Sequence, residues 1–431
     1  MSVLALLGGK PVRSEPFPEY RTIGEEEKQA VLRVLESGVL SGFLGTWSPG
    51  FYGGPMVRQL ERAWEQAFGV KHAVSVNSAT SGLYAAVGAA GIGPGDEVIV
   101  SPYTMIASAS AALIYSGIPV FADIDPETFC ISPETIRARL TPRTRAIIVV
   151  DIFGHPADME GIMALAEERG LIVIEDAAQA PGATLNGRLA GTLGHMGVFS
   201  LNYHKTIHCG EGGVVVTNDP RLAERLQLIR NHGEVVAGSK GVTDLINLVG
   251  FNYRMTEIEA AIASEQLKKL DQLVAGRRAV VARLLERLSG LPGITLPVVR
   301  PGVEHGWYLL TMRFDAARAG ISRRRFVEAV QAEGVPLVEG YVKPIYLEPL
   351  YQQRIAFGSQ GFPFTLAGGA TERPDYAPGL CPVAERMHFQ EVIFTNACHA
   401  GIGAREIEDL ALAFRKVLEH ASELTRDPGS V

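Results

Sequence analysis

Between residues 57 and 230, short runs rich in apolar and β-branched residues alternate with segments of helical periodicity. The runs are nearly all apolar, which is typical of strands that helices cover on both faces of a sheet. The helical segments end at or near a glycine or asparagine, as helices commonly do. This pattern predicts an open, doubly wound α/β domain with a mostly parallel sheet. The predicted strands span 72–76, 97–101, 118–124, 145–153, 171–176, 197–202 and 212–218.

A long helical pattern follows the predicted sheet. Thr256, with Glu259 three residues later, forms a capping box, and the helical periodicity runs on to about Leu288. We expect this helix to join a large domain with an N-terminal arm, residues 1–270, to a smaller α+β domain, residues 271–431.

The smaller domain is predicted from a few separate elements. The sequence favours a strand over 306–314, a helix over 322–334 and a final helix from about Ala404. Between them, 340–382 reads as a loop rich in proline and tyrosine. It is too long for a simple connector, and such loops are usually functional or mobile.

Composition narrows the class of protein. The 431 residues are 47% hydrophobic and 20% charged, ordinary values for a globular chain, so bulk disorder is excluded. The net charge of −7 disfavours a nucleic-acid binder, which needs a cationic surface. No apolar run reaches the about 18 residues that span a bilayer, and the start does not resemble a secretory signal. The four scattered cysteines fit no disulfide framework. We expect a soluble cytoplasmic enzyme without nucleic-acid or membrane partners.

Asp176 ends a predicted strand within IEDAAQAPGA. Its carboxylate should emerge at the carboxyl edge of the sheet, where open α/β sheets bind ligands. The alternative is an ordinary helix N-cap, since aspartate is favoured there.

Lys205 lies in FSLNYHKTIHCGEGG, five residues after Ser200 and between two predicted strands. With Tyr203, His204 and His208 around it, the lysine is expected to be partly desolvated. Desolvation lowers the pKa of an amine and makes it a nucleophile competent for Schiff-base formation. A solvated surface lysine is the alternative. The two histidines have the i, i+4 spacing of a metal pair, but no HExxH-type partner is present, so we predict packing and no metal.

Two further segments have candidate binding groups. In VNSATSGLYAAVGAAG a strand turns directly into a helix, and Ser78, Ala79 and Thr80 would present backbone N–H groups to a phosphate. Plain N-capping is the alternative there. Asn252 stands in GFNYRM just ahead of the long helix, where a polar residue can also serve only as a cap.

Several nucleotide and hydrolase motifs are excluded. The glycines of GIGPGDEV precede a strand, whereas a dinucleotide fingerprint follows one. The chain contains no GxxxxGK[ST] phosphate loop and no GxSxG nucleophile elbow.

In chain order, a phosphate cradle, an aspartate at a strand end, and a serine and lysine in the next connection indicate a pyridoxal phosphate site. Nearly the whole chain resembles the DegT/DnrJ/EryC1/StrS family of sugar aminotransferases, through LALLGGKPVR, GGPMVRQLERAWEQAFGVKHAV, EDAAQAPGA, FSLNYHKTIHCGEGG, GFNYRMTEIEAA and CPVAERM. The resemblance implies fold type I of the pyridoxal phosphate enzymes, with a large α/β domain and a smaller C-terminal α+β domain.

The resemblance also implies roles for single residues. Lys205 matches the family's Schiff-base lysine, Asp176 the partner of the pyridine nitrogen, and Gln179 a residue near the ring hydroxyl and the cofactor face. Asn252 matches a phosphate ligand that the family supplies from the neighbouring subunit, which implies a homodimer with shared active sites. The remaining cofactor-binding positions are Ser78, Ala79, Thr80, Met105 and Ser200, the last as a phosphate hydroxyl.

The chain departs from the family pattern at three positions. Met105 stands where relatives stack an aromatic residue on the pyridine ring, and Tyr103 is a candidate to replace it. Pro181 and Tyr346 stand where relatives often have histidine. By resemblance, the 340–382 loop contacts the substrate.

We predict an aminotransferase that moves an amino group from glutamate or glutamine to a keto-sugar, with a nucleotide-linked keto-sugar as the expected acceptor. Tyr341, Lys343 and Tyr346 of the loop are the expected contacts to this acceptor. A keto-cyclitol of the inosose type is the alternative acceptor. Deoxysugar dehydratases of the family have histidine in place of the lysine, so Lys205 argues against that reaction. The presence of Lys205, Asp176 and Ser200 together argues against a non-catalytic protein that only binds the cofactor.

Overall fold

A computed structural model describes residues 3–365 and 375–425 of the chain. The described strands are β1 (His72–Val76), β2 (Glu97–Val100), β3 (Ile118–Phe121), β4 (Thr144–Val150), β5 (Ile172–Asp176), β6 (Thr184–Leu185), β7 (Arg188–Leu189), β8 (Met196–Ser200), β9 (Gly213–Thr217), β10 (Ile294–Thr295), β11 (Val303–Glu304), β12 (Leu310–Phe314), β13 (Val338–Glu339) and β14 (Val392–Thr395). The described α-helices are α1 (Glu25–Ser37), α2 (Pro55–Phe68), α3 (Ala79–Ala89), α4 (Ala107–Ile114), α5 (Pro133–Arg137), α6 (Met159–Arg169), α7 (Pro220–Arg230), α8 (Gly233–Lys240), α9 (Glu257–Leu267), α10 (Leu270–Leu288), α11 (Ala316–Ala319), α12 (Arg323–Ala332), α13 (Pro349–Gln353), α14 (Pro382–Arg386), α15 (Ala404–Glu419) and α16 (Ala421–Leu424).

Seven strands form the central sheet in the order β1-β9-β8-β5-β4-β2-β3. The predicted strands are confirmed, and so is the mostly parallel sheet. Only β9 of these seven runs against the others, pairing antiparallel with both β1 and β8. The reason is the connection: β8 returns to β9 through a loop without a crossover helix, and such a return reverses the strand.

Alternate residues of the strands face two different cores, as a doubly wound sheet requires. Val198 and Val215 pack into one apolar cluster with the residues of α3 and α4. Phe199, Val214 and Val216 pack into a second cluster with the residues of α2 and α9. Both faces of the sheet are therefore covered.

The carboxyl edge of the sheet collects three of the predicted features. Asp176 is the last residue of β5 and Ser200 the last of β8. β5 and β8 are parallel neighbours, so their ends lie side by side. α3 begins directly after β1, whose last residue pairs with Gly213 at the start of β9.

A second sheet, with the order β10-β12-β14-β13, is antiparallel throughout and forms the smaller α+β unit with α10, α12 and α15. Its strand β14 was not predicted. The run Val392–Thr395 is only four residues long and follows a π-helical turn, Met387–Glu391, so the sequence gives it no clear boundary.

The N-terminal arm packs against this smaller unit. Leu4 is wholly buried in the apolar core of the smaller unit. Glu333 at the end of α12 accepts hydrogen bonds from the N–H groups of Ala5, at 2.9 Å, and Val12, at 3.0 Å. Glu333 is itself buried and ion-paired with Lys416 at 2.6 Å.

The predicted long helix is two helices, α9 and α10, separated by Lys268 and Lys269. The capping box of Thr256 and Glu259 is confirmed at the start of α9. At the junction, Lys269 forms an ion pair with Glu27 at 2.6 Å.

The predicted 340–382 loop contains short helical elements, including α13, and is described except for residues 366–374, which lie outside the described part of the chain. Within the described residues, no helix has the length and apolar character that crossing a membrane requires.

The arm's attachment generates a first prediction. Glu333→Gln removes the buried charge that holds Lys416 and weakens its bonds to the arm, so it should lower the free energy of unfolding by about 3 kcal/mol. Urea unfolding measures this loss, and limited proteolysis should cut the N-terminal arm sooner than in the unaltered protein. Glu419→Gln, at an exposed position, is the matched control. Equal stability of the two variants would contradict the anchoring role of Glu333.

Candidate active site

Asp176 presents a buried carboxylate at the carboxyl edge of the sheet. It accepts a hydrogen bond from the Ser108 hydroxyl at 2.7 Å and one from the Ala178 N–H at 3.2 Å. Burial raises the pKa of Asp176, and these hydrogen bonds and the charge of Lys205 oppose the rise. No described helix begins at Asp176, because the next one along the chain starts at Pro220, so the helix-cap alternative is wrong.

Lys205 is a buried lysine in the loop between β8 and β9, only 9% exposed, so the surface-lysine alternative is wrong. Its Nζ lies 4.6 Å from the centre of the Tyr308 ring. Burial lowers the pKa of Lys205 to about 8, and the negative charge of Asp176 opposes that shift. None of the ion pairs found among residues 3–365 and 375–425 includes Lys205. About a tenth of this amine is therefore uncharged at pH 7, and the uncharged form is the nucleophile.

The first turn of α3 contains the residues that the sequence predicts to bind a phosphate. The Ser78 Oγ caps the helix by accepting the Ser81 N–H at 3.0 Å, so the capping alternative is realised. Capping leaves the N–H groups of the first turn, at Ala79 and Thr80, free for a ligand. Gly213 passes so close that a Cβ there would lie 2.8 Å from the Ala79 nitrogen.

Gln179 connects two loops at the edge of the sheet. Its Oε1 accepts the Phe153 N–H at 2.8 Å, and its Nε2 donates to the Tyr341 hydroxyl at 2.9 Å. Tyr341, a predicted substrate contact, is thereby brought beside a predicted cofactor contact. Tyr103 is wholly buried and packs edge-on against both Phe153 and Tyr341.

Other predicted residues lie apart from this group. Met105 is 56% exposed, and Lys343 is ion-paired with Glu348 at 3.2 Å. Tyr346 is fully buried, and its hydroxyl donates to Glu385. The predicted contact between Tyr346 and an acceptor therefore has no support in this structure, because the Tyr346 side chain is part of the apolar core.

Asn252 is exposed, and its Oδ1 accepts from the Arg254 Nε at 2.8 Å. The main chain beside it, at Tyr253, accepts the Asn77 N–H at 2.9 Å. The segment with Asn252 therefore lies next to Asn77, which precedes the first turn of α3.

A cavity of about 980 Å³ opens on the Tyr308 side of Lys205. The predicted residue Tyr341 lines it, but most of its wall was missed by sequence reasoning. The missed residues come from at least four separate parts of the chain and share no motif. They include Tyr20, Arg277, Tyr308, Asn396 and His399.

No group of three potential metal ligands occurs among residues 3–365 and 375–425. His204 lines the cavity, and burial lowers the pKa of both His204 and His208.

Asp151 and Glu175 form a buried pair of acids beside Asp176. Glu175 accepts three backbone N–H groups, from Gly191 at 2.6 Å, Leu193 at 2.9 Å and Gly194 at 3.2 Å. Burial raises the pKa of Glu175, and these donors oppose the rise and favour its ionised form. Asp151 accepts only the Ala157 N–H, at 3.0 Å, and faces the Glu175 carboxylate, so burial and that charge raise its pKa well above the usual range. Asp151 is thus the member that holds a proton.

A buried lysine and an aspartate at the carboxyl edge of a doubly wound sheet, opposite a helix N-terminus, define a pyridoxal-phosphate-dependent transferase of fold type I. A sequence profile of the DegT/DnrJ/EryC1/StrS aminotransferase family matches residues 21–367. The chain belongs to this family and is a pyridoxal-phosphate-dependent aminotransferase.

Individual relatives agree with this assignment. L-glutamine:2-deoxy-scyllo-inosose aminotransferase of Streptomyces fradiae is 35% identical over 436 residues, which cover 98% of this chain and 99% of the relative. Spore coat polysaccharide biosynthesis protein SpsC of Bacillus subtilis (strain 168) is 35% identical over 347 residues, 79% of this chain and 86% of SpsC. The solved structure of DesI in the presence of its TDP-sugar product is 30% identical, covers 98% of each chain and superposes with a TM-score of 0.81.

The acid pair generates a second prediction. In the unfolded chain Asp151 ionises near pH 4, whereas the folded chain keeps it protonated. The folded state therefore binds one more proton than the unfolded state. As the pH rises from the unfolded-state pKa of Asp151 to its folded-state pKa, the free energy of unfolding falls by about 1.4 kcal/mol per pH unit. Asp151→Asn keeps the acceptor for Ala157 and a donor for Glu175 but removes this slope.

The variant should therefore be more stable than the unaltered protein at pH 8, with a smaller loss of stability between pH 5 and 8. Urea unfolding at several pH values measures the slope, and Asp271→Asn, at an exposed position of α10, is the control. An unchanged slope in Asp151→Asn would show that Asp151 is not the protonated partner.

Proposed function

We propose that Lys205 and Asp176 are the catalytic pair of this aminotransferase. The observation that carries the proposal is the buried Lys205 amine, with a pKa of about 8, beside the carboxylate that ends β5. Pyridoxal phosphate, when bound, acts as an electron sink for the carbon that loses its proton. Lys205 Nζ takes the proton from the α-carbon of the donor and returns one to the carbon that receives the amine. Asp176 holds the proton of the pyridine nitrogen.

The groups at the sheet edge fit the remaining parts of the cofactor. The N–H groups of the first turn of α3 suit a phosphate, because a helix N-terminus is an anion site. The chain's phosphate-binding residues in this proposal are Ser78, Ala79, Thr80 and Ser200. Gln179, whose position is fixed by hydrogen bonds with Phe153 and Tyr341, would contact the ring of the bound cofactor.

The ring-stacking role of Met105 stays a proposal. Its thioether is exposed, so it is accessible to cover a ring that binds against Asp176. Tyr103 is less suited to this role, because its side chain is fully buried among other aromatic rings.

The acceptor we propose is a polyhydroxylated cyclic ketone, with glutamate or glutamine as donor. A nucleotide-linked keto-sugar is the first candidate, supported by the likeness to DesI, whose structure was solved in the presence of its TDP-sugar product. A keto-cyclitol is the second, because the inosose aminotransferase matches this chain over almost its whole length. Tyr341 lines the cavity and is the loop residue that the geometry favours for contact with either acceptor. Lys343 is the other proposed contact.

The test of this function has two half-reactions. The holoenzyme is first incubated with glutamine or glutamate, and the absorbance of the cofactor should shift to that of its amine form. Keto-sugar nucleotides and inososes are then added separately, and the true acceptor restores the original spectrum. Failure of every donor to shift the spectrum would reject an aminotransferase function for this site.

Lys205→Ala is the third prediction. The variant should fold normally but lose turnover by about 10³-fold or more, because both the nucleophile and the proton carrier are gone. Borohydride reduction followed by peptide mass spectrometry should find the cofactor attached to residue 205 in the unaltered protein and nowhere in the variant. Lys71→Ala, at an exposed position, is the control. A cofactor adduct that persists in Lys205→Ala would move the role to another lysine.

We also propose a cytoplasmic homodimer with composite active sites. Asn252 follows an exposed apolar strip, with Leu245 62%, Ile246 61% and Val249 68% exposed. Exposed apolar residues so close together are typical of an interface. A second copy covering this strip would let Asn252 approach the phosphate bound in its partner. The four free cysteines, all buried, are consistent with a reducing compartment.

Mixing two inactive variants tests the shared site and is the fourth prediction. Asn252→Asp places a negative charge beside the phosphate and should expel the cofactor. If Asn252 acts across the interface, a mixed dimer of Lys205→Ala and Asn252→Asp chains has one doubly damaged site and one intact site. Such a mixture should therefore recover activity, to at most about a quarter of that of the unaltered enzyme when random pairing makes half of the dimers mixed. No recovery, with subunit exchange shown independently, would place Asn252 in the site of its own chain.

A further inference from the structure

The N-terminal arm forms part of the wall of the 980 Å³ cavity, through residues 17–20. The chain is attached on both sides of this stretch. Before it, Arg13 is ion-paired with Glu406 of α15 at 3.0 Å. After it, the Thr22 hydroxyl donates to Gln266 Oε1 of α9 at 2.7 Å, and Gln266 Nε2 donates to the Thr22 carbonyl oxygen at 3.0 Å. The stretch between these attachments is therefore held at both ends.

Tyr20, at the end of this stretch, reaches the loop that contains Lys205. Its hydroxyl donates to the carbonyl oxygen of Thr206, the next residue after the lysine, at 2.5 Å. Thr206 is only 2% exposed, and a buried carbonyl without a donor is costly, so Tyr20 supplies the partner that this carbonyl requires. Burial raises the pKa of Tyr20, so the hydroxyl keeps the proton that it donates.

The ring of Tyr20 is also fixed by its neighbours. Arg277 Cζ lies 4.7 Å from the centre of the ring, and the centres of the Tyr20 and His399 rings are 5.0 Å apart. A cation over one ring and a second ring beside it both favour a single orientation. The hydroxyl is therefore presented to Thr206 by a side chain that has little freedom of its own.

The loop between β8 and β9 depends on such contacts. Within the described chain, its residues 201–212 contain no helix or strand. A catalytic group on a loop keeps its geometry only where neighbouring contacts lock the loop. The arm contributes a second contact, because Gln266, which binds Thr22, also accepts the His208 N–H at 3.4 Å. The loop is thus connected to the arm at two positions that closely follow Lys205.

We propose that Tyr20 is a positioning residue for Lys205, which acts through the Thr206 backbone and not on the substrate. The inference rests on the proposed catalytic role of Lys205 and adds a residue of the N-terminal arm to that site. Lys205 Nζ must keep its place beside the Tyr308 ring, both to stay desolvated and to reach the carbon with which it exchanges a proton. A loop released from Tyr20 would move the amine and admit water to it.

Tyr20→Phe tests this role, because it removes the hydroxyl and keeps the ring in the cavity wall. Tyr376→Phe is the matched control. Tyr376 is 2% exposed, its hydroxyl donates to the Pro119 carbonyl oxygen at 2.7 Å, and it is not among the described residues that line the cavity. In the holoenzyme, Tyr20→Phe should lower kcat about tenfold, since a small displacement of a catalytic group is enough for such a loss. The KM of donor and acceptor should change by less than about twofold.

A second readout depends on neither turnover nor cofactor. The full chain, freed of cofactor, is trace-labelled with acetic anhydride between about pH 6 and 10, and acetylation of Lys205 is quantified by peptide mass spectrometry. In the unaltered protein the labelling should rise with a midpoint at the Lys205 pKa of about 8. In Tyr20→Phe the midpoint should move upward by about half to one pH unit, because desolvation lowers the pKa of an amine and added water reverses this. Asp176, His204 and Tyr308, the titratable groups beside the amine, are the same in both proteins.

Thermal unfolding shows whether the variants are folded. A folded Tyr20→Phe variant with unchanged kcat and an unchanged labelling midpoint would overturn the proposal. A change of KM for one substrate alone would make Tyr20 a binding residue instead, and equal effects in Tyr376→Phe would reduce it to a general support of the fold. If Tyr20→Phe does not fold, Thr22→Val, which breaks the neighbouring bond to Gln266, is tested by the same two readouts with the same expected directions. A holoenzyme that reacts with no donor fails the proposed function, while the labelling of Lys205 still reports on Tyr20.

Discussion

The desolvation of Lys205 beside Asp176 is the constraint on which the site depends. Burial under the Tyr308 ring lowers the pKa of the amine to about 8, and burial also raises the pKa of the carboxylate. Each shift favours the neutral form, and the attraction between the two charges opposes both. The Ser108 hydroxyl and the Ala178 N–H support the carboxylate, whereas the amine has an aromatic ring and no hydrogen-bonding carboxylate. The balance leaves a lysine that is ready to react and an aspartate that still accepts a proton.

The positions of these two residues follow from the connections of the sheet, which is why the sequence could predict them. The β-branched residues of a run such as IVIED are typical of a buried strand, and a parallel strand brings its last residue to the ligand-binding edge. The lysine was predictable because two apolar runs enclose a short polar segment. Such local signals were also sufficient for the central strands and for the capping box at Thr256.

Long-range contacts were beyond the sequence pattern. The wall of the cavity combines Tyr20, Arg277 and Tyr308, which are far apart in the chain and have no common spacing. The arm's attachment to Glu333 depends on a buried carboxylate more than 300 residues away from it, and no local pattern indicates such a pair. Tyr346 was misplaced for a related reason. Its motif indicated a substrate loop, but only tertiary packing shows that its ring completes the core.

The acid pair behind the sheet edge completes the electrostatics of the site. Glu175 and Asp176 are successive residues of one strand, so their side chains point to opposite faces. On the far face, Glu175 is ionised within a loop of backbone N–H groups and Asp151 is protonated. Were Asp151 ionised, its charge would further raise the pKa of Asp176 and weaken its hold on a pyridinium proton. The single proton shared by these two buried acids therefore helps Asp176 to remain an anion. An anionic Asp176 in turn attracts a positively charged pyridinium ring.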